Sequence, residues 1–560
     1  MQDPLCDQIP MRPPDQVMKL ARMGSAHAHR LSFMRILMRR MQRENWRFSV
    51  TEFSIDHLGV GQAVYTVHTP DRAYSLVAFA HDLPDNQRSD RVIAQAWDCT
   101  FTLFDGIPSA EDRVRLAQNV PLQEAGRISQ SELSLSRANR SVRLWSHVVD
   151  ALAAGQQPDP AKVAEVGYLM RTTAVYGSGK FGAADRQDVE DRPEFQAPFQ
   201  CEMLSVYLTR IFVMDLVEHM ARCKGGARAV PLDPTLRRSF GIGNSTGLGM
   251  APFLLNHPIL LNNWITAKER ALARVRNLPK FTQTDQDRFT ALVHRADLNL
   301  QLWRSDHPIQ LEKLAALKAD INALNTLLKA GPVVSWNAVY CFAEKRFSIE
   351  GCELVVSLLI ECHPELVDDL ADTLAADETT GSQIDGTATV GRLLGQIAQI
   401  YGWAEELDWQ EESNSARVWY VSAEKQEPRL GERFVEADIA DYEQPLCPLR
   451  DVMRLAQCLE GYSKNTNTSE ILRSHPEHRH ALRRVQIAAR YPYAEIRDNT
   501  ICATMLPIDM LRLKLSFFGA KHFDPRSDRW VRINMFADAP YPDTLAQSGD
   551  DWFFPQQVCA

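Results

Sequence analysis

Glycines Gly241, Gly243, Gly247 and Gly249 surround the short polar side chains Asn244, Ser245 and Thr246, and the run opens at Met250-Ala251-Pro252 onto a helical pattern. A glycine-rich turn leading into a helix can aim several backbone N–H groups at one anion, while the helix adds the positive end of its dipole. Arg237 and Arg238 stand just before the run. A guanidinium beside such amides suits a carboxylate, phosphate or sulfonate. Arg237, Gly243, Asn244, Ser245, Thr246 and Gly247 are therefore candidate substrate-binding residues. The same letters loosely match a dinucleotide fingerprint and, around Ser245, a G-x-S-x-G nucleophile elbow. Both patterns need a buried strand immediately before the turn, and Leu236-Arg237-Arg238-Ser239-Phe240 is too polar for one.

A second glycine-rich stretch runs from Arg171 to Gly182 and carries Tyr176, Gly177, Ser178, Gly179 and Lys180. Gly179-Lys180 matches the end of a nucleotide P-loop, but Ala174 and Phe181 replace the glycine that shapes the cradle and the hydroxyl residue that binds Mg²⁺. ATP hydrolysis is not expected from it. Arg171 and Ser178 can still contact a smaller anion, and Tyr176 or Lys180 can move a proton if burial shifts its pKa. His257, between Asn256 and Pro258 just beyond the first run, is a third acid–base candidate. Each loop also reads as a packing turn, and His257 as a satisfied structural histidine.

No metal site is expected. In Ser474-His475-Pro476-Glu477-His478-Arg479-His480, Ser474 and Glu477 fit a helix capping box with proline in the first turn. On such a helix His480 points almost opposite His478, so the three imidazoles do not share an ion. His27-Ala28-His29 leads into a helix rather than a strand, which separates its two rings.

Two diverged copies of one module are expected to position these residues. Arg35-Ile36-Leu37 before Trp46 is answered by Arg392-Leu393-Leu394 before Trp403, and strand-like residues follow each tryptophan, Ala63 to Val67 and Arg417 to Val421. Arg113 to Gln118 is answered by Val452 to Gln457, and Ser131-Glu132-Leu133 by Ser469-Glu470-Ile471. The separation between partners falls in one direction along the chain, as shortening loops would make it. The predicted fold is α+β. Residues 1–235 form the first repeat, residues 236–332 the glycine-rich run and a long-helix connector, and residues 333–560 the second repeat. Within the first repeat a strand meander over 48–104 precedes helices over 110–119, 132–154 and 161–171. The connector holds helices over 258–275, 285–303 and 309–329. Residues 377–387 read as a flexible loop. Residues 16–47 form a basic amphipathic helical segment, expected to pack on its own domain with a solvated arginine face.

The 560 residues exceed one ordinary core. A net charge of −9 argues against nucleic acid as the main partner. Eleven cysteines without a C-x-x-C pair suit reduced thiols in the cytoplasm. There is no secretory-type apolar stretch at the start and no apolar run of membrane length, so a soluble cytoplasmic protein is expected. The leading functional expectation is an enzyme acting on a small anionic organic molecule in a cleft between the repeats. Lyase or hydrolase chemistry is preferred, with Tyr176, Lys180 and His257 as the proton carriers. The competing expectations are a non-catalytic scaffold built from a duplicated module, and a flavin- or nucleotide-dependent oxidoreductase. No short motif names a cofactor, flavin itself has no obligatory one, and a homo-oligomer is compatible with the composition.

Overall fold

The strands Gly61–His68 (β2) and Ala73–Ala80 (β3) are rich in valine, tyrosine and phenylalanine, side chains that fit a pleated, buried surface. Thr69 N–H donates to the Arg72 carbonyl at 2.9 Å and closes the hairpin between them, as the Thr69-Pro70-Asp71-Arg72 turn predicts. In this computed structural model the described residues are 9–25, 28–84, 96–122, 128–172, 189, 191–247, 250–303, 305, 308–331, 335–411, 418–421, 429–430, 443–446, 448–497, 507–524, 530–550 and 552–554. The hairpin belongs to a nine-stranded sheet that includes Arg47–Ile55 (β1), Cys99–Asp105 (β4), Glu132–Arg140 (β5), Tyr168–Thr172 (β6) and Gly241–Gly247 (β7). A separate three-stranded sheet holds Val418–Val421 (β8), Arg429–Leu430 (β9) and Glu443–Leu446 (β10). Lys521–Asp524 (β11) and Trp530–Met535 (β12) then return to the large sheet, whose order is β1-β2-β3-β4-β5-β6-β7-β12-β11.

Neighbouring strands of the large sheet run antiparallel except β6 and β7, which run parallel. A parallel pair needs a crossover, and the helix Gln200–Gly225 lies within it. That helix packs on β2 through β7 and is buried on nearly every side from Gln200 to Val217, consistent with a helix enclosed by the sheet and later segments. Arg210 on it is fully buried and donates to the carbonyls of Phe240, Arg238 and Ala539 at 2.7, 2.9 and 3.0 Å.

Helices over Pro258–Arg276, Gln283–Gln301 and Pro308–Lys329 stand where their amphipathic spacing predicts them. A smaller hydrophobic core forms around Leu393, Ile397, Val452, Leu455, Leu459, Leu482 and Val485, from the helices Val390–Tyr401, Pro448–Glu460 and Arg479–Arg490.

Several expectations change. The helix predicted over 132–154 is strand β5 followed by the helix Trp145–Ala153. Leu133 and Leu135 alternate with hydroxyl residues, a pattern that fits a two-residue period once β4 and β6 flank the segment. The helix predicted over 161–171 ends at Val166, because Gly167 takes a left-handed conformation (φ 72°) and the chain turns into β6. Residues 377–387 include a short helix, Glu378–Gly381, and the Glu378 carboxylate caps the start of the helix Pro258–Arg276 by accepting from Ile259 N–H and Leu260 N–H at 3.2 and 2.8 Å.

The structure does not display two copies of one fold; it is a mixed α+β chain with one large sheet. Three of the matched segment pairs share a type: helix in Phe33–Arg43 and Val390–Tyr401, strand in β2 and β8, helix in Ala110–Asn119 and Pro448–Glu460. The fourth differs, since Glu132 begins strand β5 whereas Glu470 lies in the helix Thr468–Ser474. The strands sit in sheets of different size.

The basic segment does not present a solvated arginine face. Arg35 is fully buried and holds Glu361 through two hydrogen bonds of 2.7 Å, while Arg30 reaches Glu361 and Asp368, and Arg39 reaches Asp550. Its counter-charges lie far along the chain, where no sequence period links them. Among the described residues no helix is long and apolar enough to cross a membrane.

Candidate functional site

The glycine-rich run predicted as a loop is strand β7. It is paired on one side with β6 and on the other with β12, so its amides serve the ladder rather than an anion. Two of its glycines are required by close approach. A Cβ on Gly241 would stand 2.5 Å from the Met535 carbonyl oxygen, and one on Gly243 would stand 2.6–2.8 Å from the Tyr168 ring. Ser245 pairs with Arg532 inside the strand, not at a strand–helix turn, so the nucleophile-elbow geometry is not met. Thr246 and Gly247 are likewise strand positions, opposite Val531 and Trp530.

Arg237 lies on the helix Pro234–Ser239, before the amino end of β7. It pairs with Asp215 at 3.2 Å and lies over the Tyr541 ring at 4.6 Å, away from the strand's carboxyl end. Arg237 is close to the glycines in sequence, but its place at the amino end of β7 turns it to Asp215 and Tyr541.

Arg171 and Gly243 are neighbours in register on the parallel pair β6–β7. Asn244 is buried and donates from Nδ2 to the Thr172 carbonyl at 3.2 Å, tying the carboxyl end of β6 to the middle of β7. β6 ends beside the middle of β7, which continues to Gly247 along β12. Tyr176, Ser178 and Lys180 lie outside the described residues. In sheets with parallel strands, the carboxyl ends are favoured positions for ligands.

The helix Met250–Asn256 follows β7, and His257 caps the helix Pro258–Arg276 after it. His257 Nδ1 lies 2.9 Å from the Phe253 carbonyl, which makes Nδ1 the protonated nitrogen of a neutral ring and Nε2 the basic one. Burial holds its pKa below the ordinary histidine value, and the hydrogen bond to Phe253 opposes that shift. Its ring sits 4.7 Å from that of Phe253 and 5.9 Å from that of Phe199. Phe199 has φ 58°, a left-handed backbone unusual for a bulky residue.

The aromatic cluster continues through Phe518, whose ring lies 5.8 Å from Phe253, 5.9 Å from Phe199 and 5.4 Å from Phe33. Lys514, one turn earlier on the helix Pro507–Phe518, places its Nζ 4.7 Å from the Phe518 ring centroid. That helix packs against β7, β12 and the helix Met250–Asn256. Lys514 is fully buried, and its amine has no hydrogen-bond partner among the described residues. Burial alone pushes its pKa down to about 7, since an ammonium loses more hydration here than a ring face returns.

Sequence reading gives Lys514 no role. In Leu511-Arg512-Leu513-Lys514-Leu515-Ser516 the apolar residues alternate with polar ones, which suggests an exposed polar face. The usable signal was a lysine surrounded by leucine and phenylalanine. His29 belongs to the same region, its ring 5.1 Å from that of Trp264 and inclined at 58°, and Trp264 in turn stacks 4.2 Å from Phe517. Comparison with known proteins gives no matching family, no matching curated protein and no matching solved structure.

Proposed function

We propose that the protein is an enzyme acting on a small anionic organic molecule of carboxylate or phosphate type, with lyase or hydrolase chemistry, at the carboxyl ends of β6 and β7. The observation that supports this reading is the register of Arg171 beside Gly243, which sets the first residue of one glycine-rich segment against the strand formed by the other. Arg171 supplies the guanidinium for the anion. His257 Nε2 and the Lys514 amine, both bearing on the Phe199–Phe253–Phe518 cluster, are the proton carriers. An amine with a pKa near 7 is half neutral at neutral pH and can accept a proton that an ordinary lysine cannot. Two titratable groups displaced by burial and sharing one aromatic cluster, beside a helix that packs on β7, favour an active site over packing turns.

The test is a panel of small mono- and dicarboxylates and phosphate monoesters, followed by thermal shift and by NMR for turnover. At least one class should raise the unfolding midpoint of the wild type and lose that effect in Arg171→Ala. Turnover should fall at least about 100-fold in Lys514→Met or His257→Gln, the usual scale for loss of a proton carrier. A panel without binding or turnover, or binding indifferent to Arg171, would sink the reading.

A further inference from the structure

The sequence pattern separates His480 from its neighbours, but folding adds a donor from elsewhere. The helix Pro448–Glu460 carries Cys458 next to the turn Pro476–His478, which is flanked by His475 and ends at His478. The expected capping box is not formed, because Ser474 ends the helix Thr468–Ser474. One ligand atom from each of Cys458, His475 and His478 lies within 4.8 Å of the other two.

We propose that Cys458, His475 and His478 bind a borderline-soft divalent ion of the zinc class, with its fourth position open to water or another small ligand. Sulfur at about 2.3 Å and nitrogen at about 2.0–2.1 Å from tetrahedral zinc put the donors about 3.3–3.6 Å apart, so a closure of about 1 Å completes the set. Cys458 is half-buried, and rotation of the partly exposed histidine side chains provides this closure.

The surroundings have the form that such a site needs. His475 Nδ1 lies 3.0 Å from the Glu477 carboxylate, so Nδ1–H donates there and Nε2 keeps its lone pair for the ion. The Tyr462 ring meets His475 edge to face at 6.0 Å. The His475 and His478 rings stand 6.0 Å apart and inclined at 41°, compatible with two nitrogens approaching one point. On binding, the Cys458 thiol gives its proton to solvent and the thiolate joins the metal. One thiolate and the Glu477 carboxylate then balance a dication. Soft sulfur with two imidazoles selects zinc-class ions over magnesium or calcium, which prefer oxygen.

The probe is Co²⁺ added to metal-free full-length protein, read by absorbance, with Zn²⁺ as competitor. The expected result is one Co²⁺ per chain with a near-ultraviolet thiolate-to-cobalt charge-transfer band that Zn²⁺ removes. Cys458→Ser should lose the band. His475→Gln and His478→Gln should weaken binding at least about 10-fold, and Glu477→Gln about 10- to 100-fold. His480→Gln should bind as the wild type does.

Protection is measured on the unaltered protein as well, so that a variant's misfolding leaves the question decidable. Zn²⁺ should block alkylation of Cys458, read by peptide mass, and leave Cys341 reactive. Absence of the band, its persistence in Cys458→Ser, or alkylation of Cys458 unchanged by Zn²⁺ overturns the proposal.

Discussion

Asn244 Nδ2 donates to the Thr172 carbonyl at 3.2 Å, across the parallel pair β6–β7. This bond fixes the relative height of two strands that themselves carry Arg171 and Gly243 to Gly247 among the candidate anion contacts. Asn244→Ala should remove this inter-strand hydrogen bond at a cost of about 0.5–1.5 kcal/mol, and weaken any anion-induced thermal shift more than distant variants of equal stability do. Equal losses in both groups would reduce Asn244 to a structural residue.

Gly243 gives a contrasting case. Its added Cβ meets ring carbons of the buried Tyr168, which has little room to retreat. Gly243→Ala should cost about 1–3 kcal/mol from overpacking. Gly243→Ala in a Tyr168→Leu background should recover part of that loss. A double-variant cycle by chemical unfolding measures the coupling.

The buried charges of the N-terminal segment yield a pH prediction. Arg12 holds Glu269 and Glu353, and Lys268 reaches Glu353 at 2.8 Å, with all four side chains almost fully buried. Burial raises the Glu353 pKa, but the Arg12 and Lys268 charges and hydrogen bonds outweigh it and hold the group well below the ordinary glutamate range. The folded pKa is the lower one, so this stabilisation is complete above the ordinary glutamate value of 4.5 and declines as pH falls below it. Glu353→Gln should destabilise by about 3–5 kcal/mol at neutral pH, because Arg12 and Lys268 lose a buried counter-charge. The difference from wild type should shrink in acid, as thermal midpoints across pH would reveal.

Period and turn chemistry made the β2–β3 hairpin and the three long helices after His257 legible. Both signals act within a few residues, and sequence displays them directly. The identity of β7 was not legible, because its glycines answer Tyr168 and Met535, residues brought close only by folding. Arg35 looked solvated for the same reason, since Glu361 and Asp550 neutralise it from distant positions. His257 was legible as a histidine at a helix start. Lys514 carries no local signal of its burial, which comes from the packing of its helix against β7, β12 and the helix Met250–Asn256.

Lys514 offers a separation of stability from function. Its folded pKa of about 7 lies below the ordinary lysine value of 10.5, so between these values the unfolded chain binds more protons than the folded one. Stability attributable to this group should therefore rise with pH from about 7 to about 10.5, and its penalty should be complete below that window. Lys514→Met keeps a long apolar side chain and removes the amine that burial disfavours, so the variant should unfold at a higher temperature than wild type near neutral pH. The gain should shrink as pH rises through this window and be smallest above about 10.5, where the amine is neutral in folded and unfolded chains alike. If Lys514 also moves a proton for the proposed reaction, the same variant is more stable and inactive. A Lys514→Met variant that is less stable at every pH would show that the amine has a partner that outweighs its lost hydration, and would remove the physical basis for its role as a base.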